Sequence, residues 1–259
     1  PALESLLPAG VGFSGGSEFD VTLQGTWDYL SLHANWNLSP AILTYGTVLS
    51  KPKDFPMGIS CDLILKAGAL LSGDFSVRLH QTTAKISLVG LDPKTGIGEL
   101  TLLTNKFDLK DWETLLSPLA GYEISGFAKI LMHWKGVLKE MDKTERMLNL
   151  TLEDAALVSS TGLGIRKAEV LLDMSSLSLR LKETSFEVGG SPVQVEAEIY
   201  SFRENPQGGI QITSPGLDPF ALLDNLKAVT PPSVRQKEMV RLAKIEDAIQ
   251  RFLPNPLPL

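Results

Sequence analysis

Hydrophobic and polar residues alternate along most of this chain. The clearest run is VQVEAEI at 193–199, in which every second residue is apolar. Similar alternation covers 30–38, 57–65, 75–79, 148–152 and 177–181. Successive side chains of a strand point to opposite faces, so this pattern predicts antiparallel strands with one apolar and one polar face. Turn sequences rich in Gly, Pro, Asn and Asp separate the runs. The pattern predicts a mainly β protein with few helices.

Two stretches repeat each other at a distance of about 110 residues, which indicates duplicated structural units. LTLLTNKFDLKDWETLLSP at 100–118 matches IQITSPGLDPFALLDNLKA at 210–228. Each is expected to be a strand that leads into a short helix, with Asp108 or Asp218 as the N-cap. FSVRLHQTTAKI at 75–86 also matches LSLRLKETSFEV at 177–188.

The repeat predicts three segments. Residues 1–110 form a first repeat, and residues 111–228 form a second one. The first begins at the end of a preceding repeat, because LESLLPAGVGFSGG at 3–16 resembles WETLLSPLAGYEISGF at 112–127. We therefore expect the chain to belong to a longer array. Residues 229–259 form a C-terminal helix and tail.

The C-terminal segment has the pattern of an amphipathic helix. Ser233 and Gln236 form a capping-box signature. Apolar residues then follow at spacings of three and four, which place them on one face of a helix: Met239, Leu242, Ile245, Ile249 and Phe252. We expect this helix to cap the end of the repeat array. The alternative is a movable plug or a tip that contacts a membrane.

Composition and charge narrow the function classes. The chain has 259 residues, 43% of them hydrophobic and 21% charged, which is typical of a folded soluble protein. A net charge of -6 without a run of Lys or Arg argues against nucleic acid as a partner. Cys61 is the single cysteine, so an internal disulfide is excluded and a zinc cluster is not expected. We predict no metal and no cofactor.

Two catalytic motifs occur in an unsuitable context. GVGFSG at 10–15 fits the dinucleotide-binding fingerprint, and GFSGG at 12–16 fits the nucleophile elbow of hydrolases. Both motifs require a preceding strand and a following helix. Here a strand at 19–23 follows instead, so the pattern predicts only a helix-ending glycine and a turn. The three histidines lie in different strands without ligand spacing. We expect no enzymatic activity.

Several further features recur in the two repeats. They are the Ser-Gly steps at 14–15 and 125–126, Gly25 and Gly136, and the strand starts Ala41-Ile42-Leu43 and Ala155-Ala156-Leu157. Together with the repeat endings described above and LTYGTVLSKPKDFPMGISCDL at 43–63, they resemble the AsmA-like family of bacterial periplasmic proteins, the relatives of TamB and YhdP. The resemblance covers about residues 3–228.

The resemblance implies a repeating β-groove, which is a long curved antiparallel sheet with an apolar concave face. Family members move phospholipid between the inner and outer membranes or support outer-membrane assembly. The resemblance thus implies a bacterial periplasmic location, phospholipid or another acyl lipid as ligand, and outer-membrane proteins as further partners. Anchoring in the inner membrane is expected through an N-terminal segment that this sequence does not contain.

A continuous apolar face must be covered by another layer, close on itself, or bind something apolar. Acyl chains gain about 0.8 kcal/mol per CH₂ taken out of water. The predicted groove residues are Leu32, Trp36, Ile59, Leu63, Val77, Leu79, Ile86, Leu88, Leu150, Leu152, Val170, Leu172, Leu179, Leu181, Val195, Ile199 and Ile212. The alternative is a dry β core in a structural or chaperone-like scaffold for outer-membrane protein assembly.

Overall fold

The computed structural model describes residues 10–26, 28–66, 71–92, 95–137, 144–159, 162, 164–201 and 207–216. The strands of the first part are β1 (Val11–Gly15), β2 (Glu18–Thr26), β3 (Tyr29–Asn37), β4 (Ala41–Tyr45), β5 (Leu49–Lys51), β6 (Met57–Lys66), β7 (Leu71–Leu79), β8 (Thr82–Leu91), β9 (Ile97–Thr104) and β10 (Phe107–Asp108). They are followed by α1 (Trp112–Leu115), a 3-10 turn (Ser117–Leu119), β11 (Tyr122–Val137), β12 (Thr144–Ser159), β13 (Gly164–Ser175), β14 (Ser178–Val188), β15 (Ser191–Tyr200) and β16 (Gln207–Thr213).

Most strands belong to one long antiparallel sheet. Its 13 strands follow the order β16-β15-β14-β13-β12-β11-β9-β8-β7-β6-β3-β2, with β10 beside β11. The sheet is curved but not closed, and among the described strands its edges are β2 and β16. The prediction of a mainly β, antiparallel protein is confirmed. Strands that are close in sequence pair with each other, because each turn brings the next alternating run back beside the previous one.

The two predicted repeats meet inside this sheet. Strand β9, from the first repeat, pairs with β11, from the second. Strands β11 and β12 have 16 residues each, and their register shifts between Ser125 and Phe127. Gly126 lies at this shift with a φ of 98°. Its backbone approaches β12 so closely that a Cβ atom would lie 2.4 Å from the Cα atom of Ala155. The repeat boundaries themselves stay a prediction.

A second sheet of three strands, β1-β4-β5, lies at one rim of the long sheet. The turn between β3 and β4 brings Leu38 and Ala41 into the core, where they are 2% and 0% exposed. Lys51 is also buried, and its ammonium group donates hydrogen bonds to the carbonyl oxygens of Ser39 (3.1 Å), Ala41 (2.6 Å) and Pro52 (3.0 Å). This buried cation therefore stabilises the corner between the two sheets.

The helix α1 joins the small sheet to the start of the second repeat. The Ser117 backbone N–H donates to the Val48 carbonyl oxygen at 2.9 Å, and Leu116 forms an isolated bridge with Leu49. Leu115 faces the core and is 1% exposed. This contact connects α1 to β5 across the rim.

The prediction that Asp108 caps a helix is wrong. Asp108 lies in β10, and its carboxylate accepts a hydrogen bond from the Lys110 backbone N–H at 2.8 Å. Such a local turn competes with helix formation. The helix begins only at Trp112 and has four residues, and Asp111 precedes it in a left-handed conformation without a side-chain cap.

Two smaller predictions also need correction. Residues 11–15 form strand β1 rather than a turn, and Leu177 lies in the turn before β14, where it is 71% exposed. The predicted helices at residues 3–7, 217–228 and 233–252 lie outside the described residues. The five apolar residues of the last of these helices, from Met239 to Phe252, are among them.

Candidate functional site

The register of the long sheet defines two faces. Directly opposed residues of neighbouring strands lie on the same face. Leu32 of β3 is opposite Leu23 of β2 and Leu63 of β6. Following these pairs across the sheet as far as Ile212 of β16 defines what we call the apolar face, and the other side is the polar face.

All seventeen predicted groove residues lie on the apolar face. On the first half of the sheet these are Leu32, Trp36, Ile59, Leu63, Val77, Leu79, Ile86 and Leu88. On the second half they are Leu150, Leu152, Val170, Leu172, Leu179, Leu181, Val195, Ile199 and Ile212. The sheet therefore brings together residues that are far apart in sequence, although their role in lipid binding stays a prediction.

The apolar face also includes residues that the sequence reasoning did not select. Across the junction of the repeats, Leu100 lies opposite Trp134, and Leu102 lies opposite Met132. They connect the two halves of the face without interruption. The alternation in β11 is incomplete because Leu131, on its polar face, is apolar as well. The repeat motif at 100–118 contained the signal for Leu100 and Leu102.

Many large side chains of the apolar face keep access to solvent. At the edges, Phe19 is 65% exposed and Ile212 is 66% exposed. Away from the edge strands most large side chains are half-buried. The exceptions include Leu88 at 8%, Phe107 at 5% and Val193 at 3%. The fully buried positions on this face are mainly small residues: Ala34, Thr82, Thr104, Ala128, Ala168, Thr184 and Ala197. A dry core would bury the large side chains as well.

Aromatic side chains occupy the rim where the small sheet lies. The ring of Trp36 on β3 is 6.3 Å from the ring of Phe13 on β1 and 5.9 Å from that of Phe19 on β2. Trp112 packs against Phe107 at 5.3 Å. Tryptophan and phenylalanine at these positions close one end of the apolar face with large apolar surfaces.

Ion pairs are concentrated on the polar face. They include Lys167–Glu187 at 2.9 Å, Lys182–Asp173 at 3.3 Å and Arg180–Glu198 at 2.7 Å. His33 and Asp62 form a side-chain hydrogen bond of 2.6 Å on the same face. Hydrogen bonding to Glu187, assisted by its charge, raises the pKa of Lys167. On the apolar face, Arg146 of β12 is a charged side chain, opposite Trp134. The two faces thus differ strongly in chemical character.

Lys51 and Cys61 also lie away from the polar face. Burial lowers the pKa of Lys51, and the nearby charge of Asp54 partly opposes this shift. Cys61 is half-buried on the apolar face, opposite Ala34 and Phe75. Within the described ranges, the structure contains no group of three or more His, Cys, Asp or Glu side chains arranged to hold a metal ion.

No helix in the described part of the chain is long and apolar enough to cross a membrane. Comparison with protein-family models, curated proteins and solved structures finds no match for this chain. The geometry of the sheet is therefore the main basis for a functional proposal.

Proposed function

We propose that the apolar face binds the acyl chains of phospholipids and that the protein is a non-enzymatic lipid-transfer module. The observation that carries this proposal is the continuity of the face from β2 to β16, combined with the partial exposure of its large side chains. With about 4.8 Å between neighbouring strands, this path is on the order of 50 Å along the sheet. Such a surface is long enough to hold several acyl chains.

The chemistry of the face suits a ligand without specific polar groups. Burying about eight methylenes of one acyl chain contributes roughly 6 kcal/mol. Because this gain depends on area rather than on directed contacts, a lipid can shift along the face while it keeps most of its binding energy. The ion pairs on the polar face keep that side in water. These properties support movement of lipid along the sheet.

The resemblance to AsmA-like proteins extends the proposal to a bacterial periplasmic protein that moves phospholipid between the inner and outer membranes. In that setting the curved sheet shields acyl chains from water between two bilayers. A transfer assay between donor and acceptor vesicles tests this part. The protein is expected to accelerate the appearance of a fluorescent phospholipid in the acceptor vesicles, and an unchanged rate would contradict it.

Site-specific photocrosslinking tests lipid binding directly. Leu150 and Thr151 are neighbours in β12, and their cross-strand partners place them on opposite faces. A benzophenone amino acid at position 150 is expected to crosslink phospholipid, which mass spectrometry identifies, whereas the same group at position 151 is the matched control. Equal crosslinking at both positions, or none at position 150, would contradict lipid binding on the apolar face.

The scaffold alternative has its own supporting observation. Strands β2 and β16 are exposed at every position, and exposed edges can add a strand from another β protein. Under this alternative the edges bind outer-membrane proteins during their assembly. Absence of lipid crosslinks, together with crosslinks from β2 or β16 to such proteins, would favour the scaffold over the lipid-transfer module.

A further inference from the structure

The two repeats share backbone landmarks that identify equivalent strands. Gly15 and Gly126 have φ values of 97° and 98°, and Gly25 and Gly136 have values of 123° and 126°. The segment from Gly15 to Gly25 therefore has the same length as the segment from Gly126 to Gly136. Strand β2 therefore corresponds to the second part of β11.

Strand β16 corresponds to β9 in the same way. In the first repeat, Leu102 of β9 lies opposite Ile86 of β8. In the second repeat, Ile212 of β16 lies opposite Val195 of β15. The next apolar pair on each ladder is Leu100–Leu88 in the first repeat and Ile210–Ala197 in the second. Both strands thus end their repeat with the same apolar alternation.

The junction between the repeats shows how a β9-type strand binds a β11-type strand. On the apolar face Leu102 lies opposite Met132, and on the polar face Glu99 lies opposite Lys135. At the far end Gly98 lies opposite Gly136. This junction buries the leucines partly and leaves neither strand with a free edge.

The two edges of the sheet present the same two strand types without a partner in the described part of the chain. All positions of β2 and β16 are exposed. Among their apolar residues, Leu23 is 58% exposed, Ile210 is 63% exposed and Ile212 is 66% exposed. An edge of this kind offers unpaired backbone groups as well as apolar side chains.

We infer that β16 of one copy of this chain adds to β2 of a second copy, head to tail, in the register of the β9–β11 junction. That register places Ile212 opposite Val21 and Ile210 opposite Leu23 on the apolar face. It also places Gly208 opposite Gly25, which reproduces the glycine pair of the internal junction. The apolar face then continues from one copy into the next.

The polar face is compatible with this register. Gln211 lies opposite Thr22, and Thr213 lies opposite Asp20, so no two like charges are directly opposed. Because the two edges differ, the contact is heterologous, and a dimer keeps one free β2 edge and one free β16 edge. The association therefore depends on concentration and extends beyond a dimer.

Disulfide trapping between mixed single-cysteine variants tests the orientation and the register. Full-length Val21→Cys and Ile212→Cys chains, each in a Cys61→Ser background, are mixed and oxidised. Directly opposed strand residues have Cα atoms about 4.5–5.5 Å apart, a distance that permits a disulfide. We expect the mixed disulfide to dominate.

Thr22→Cys mixed with Ile212→Cys is the matched control, because Thr22 points to the polar face of β2. We expect at least about tenfold less mixed disulfide from this control. Equal yields from the two mixtures, or a predominance of Val21→Cys homodimers, would overturn the inferred register.

Sedimentation of the unmodified chain provides a second test. We expect association that increases up to about 100 μM, in the range of a weak protein contact. The Ile210→Lys/Ile212→Lys variant should weaken this association at least about tenfold, because it places charge on the edge. Gln211→Lys, on the polar face of the same strand, should leave it unchanged. A monomeric wild-type chain at about 100 μM, or equal effects of both variants, would overturn the inference.

Discussion

Replacement of Leu179 by glutamate distinguishes an open lipid-binding face from a sealed core. Leu179 lies on the apolar face between Met174 of β13 and Ile199 of β15, and it is half-buried. Full burial of a leucine contributes about 1.5–3 kcal/mol, so the loss at a half-buried position is roughly 1–1.5 kcal/mol. Its remaining exposure lets the new carboxylate reach water. For a domain of this size the expected decrease in melting temperature is about 2–6 °C.

The effect on lipid binding is expected to be larger. A carboxylate at position 179 displaces an acyl chain from contact with about three methylenes, a loss of roughly 2.4 kcal/mol. This loss raises the dissociation constant about 50-fold. Leu171→Glu is the matched control, because Leu171 is also a half-buried leucine but lies on the polar face, opposite Thr151 and Lys182. It should lose a similar amount of stability and retain lipid binding.

Circular dichroism melts measure the stability of both variants, and titration with a fluorescent phospholipid measures binding. An open apolar face would be refuted if Leu179→Glu were unfolded or lost more than about 4 kcal/mol of stability, since a loss of that size is typical of a charge placed in a sealed core. Equal loss of lipid binding in Leu171→Glu would refute lipid binding by this face, because the effect would then not be specific to the apolar face.

Three further predictions concern the rim and the junction of the repeats. Lys51→Met should destabilise the protein by about 2–4 kcal/mol in urea denaturation, because it removes three hydrogen bonds to carbonyl oxygens at a buried position. Lys53→Met, at an exposed position, should have little effect. Burial lowers the pKa of Lys51 in the folded state below the ordinary value of 10.5, which applies to the unfolded state. Between the folded-state pKa and the unfolded-state pKa, the folded protein therefore binds fewer protons than the unfolded protein. The Lys51 contribution to the free energy of unfolding should therefore increase as the pH rises towards 10.5. A difference in unfolding free energy between wild type and Lys51→Met that decreases with rising pH would contradict this prediction. Gly126→Ala should destabilise the protein by about 1–3 kcal/mol, since φ is positive and the added Cβ meets Ala155. Gly16→Ala is the control and should be neutral, because there is open space around Gly16. Equal melting temperatures of the two variants would contradict the prediction.

Some features could be predicted only in part from the sequence. Asp108 looked like a helix N-cap because aspartate suits that position, but its carboxylate binds the nearby Lys110 N–H instead. The helix cap and the local turn differ in free energy by about 1 kcal/mol, and the surrounding packing easily outweighs this difference. Likewise, nothing in the pattern around Lys51 indicated that a lysine is buried. That burial depends on three carbonyl oxygens, which the corner between β3 and β4 and the end of β5 bring together.

The sequence alone determined the strands and the face on which their residues lie. An alternation with a period of two is a local property, and the pleat of a strand converts it directly into two faces. For that reason Leu32, Leu150 and Ile212 could be assigned to one surface without knowledge of their neighbours. Only the tertiary structure decided that these surfaces join, because the pairing of β9 with β11 links residues from two repeats. It also decided that, among the described residues, many large side chains of this face keep contact with solvent. Exposure depends on which elements pack over the sheet rather than on the order of residues within a strand.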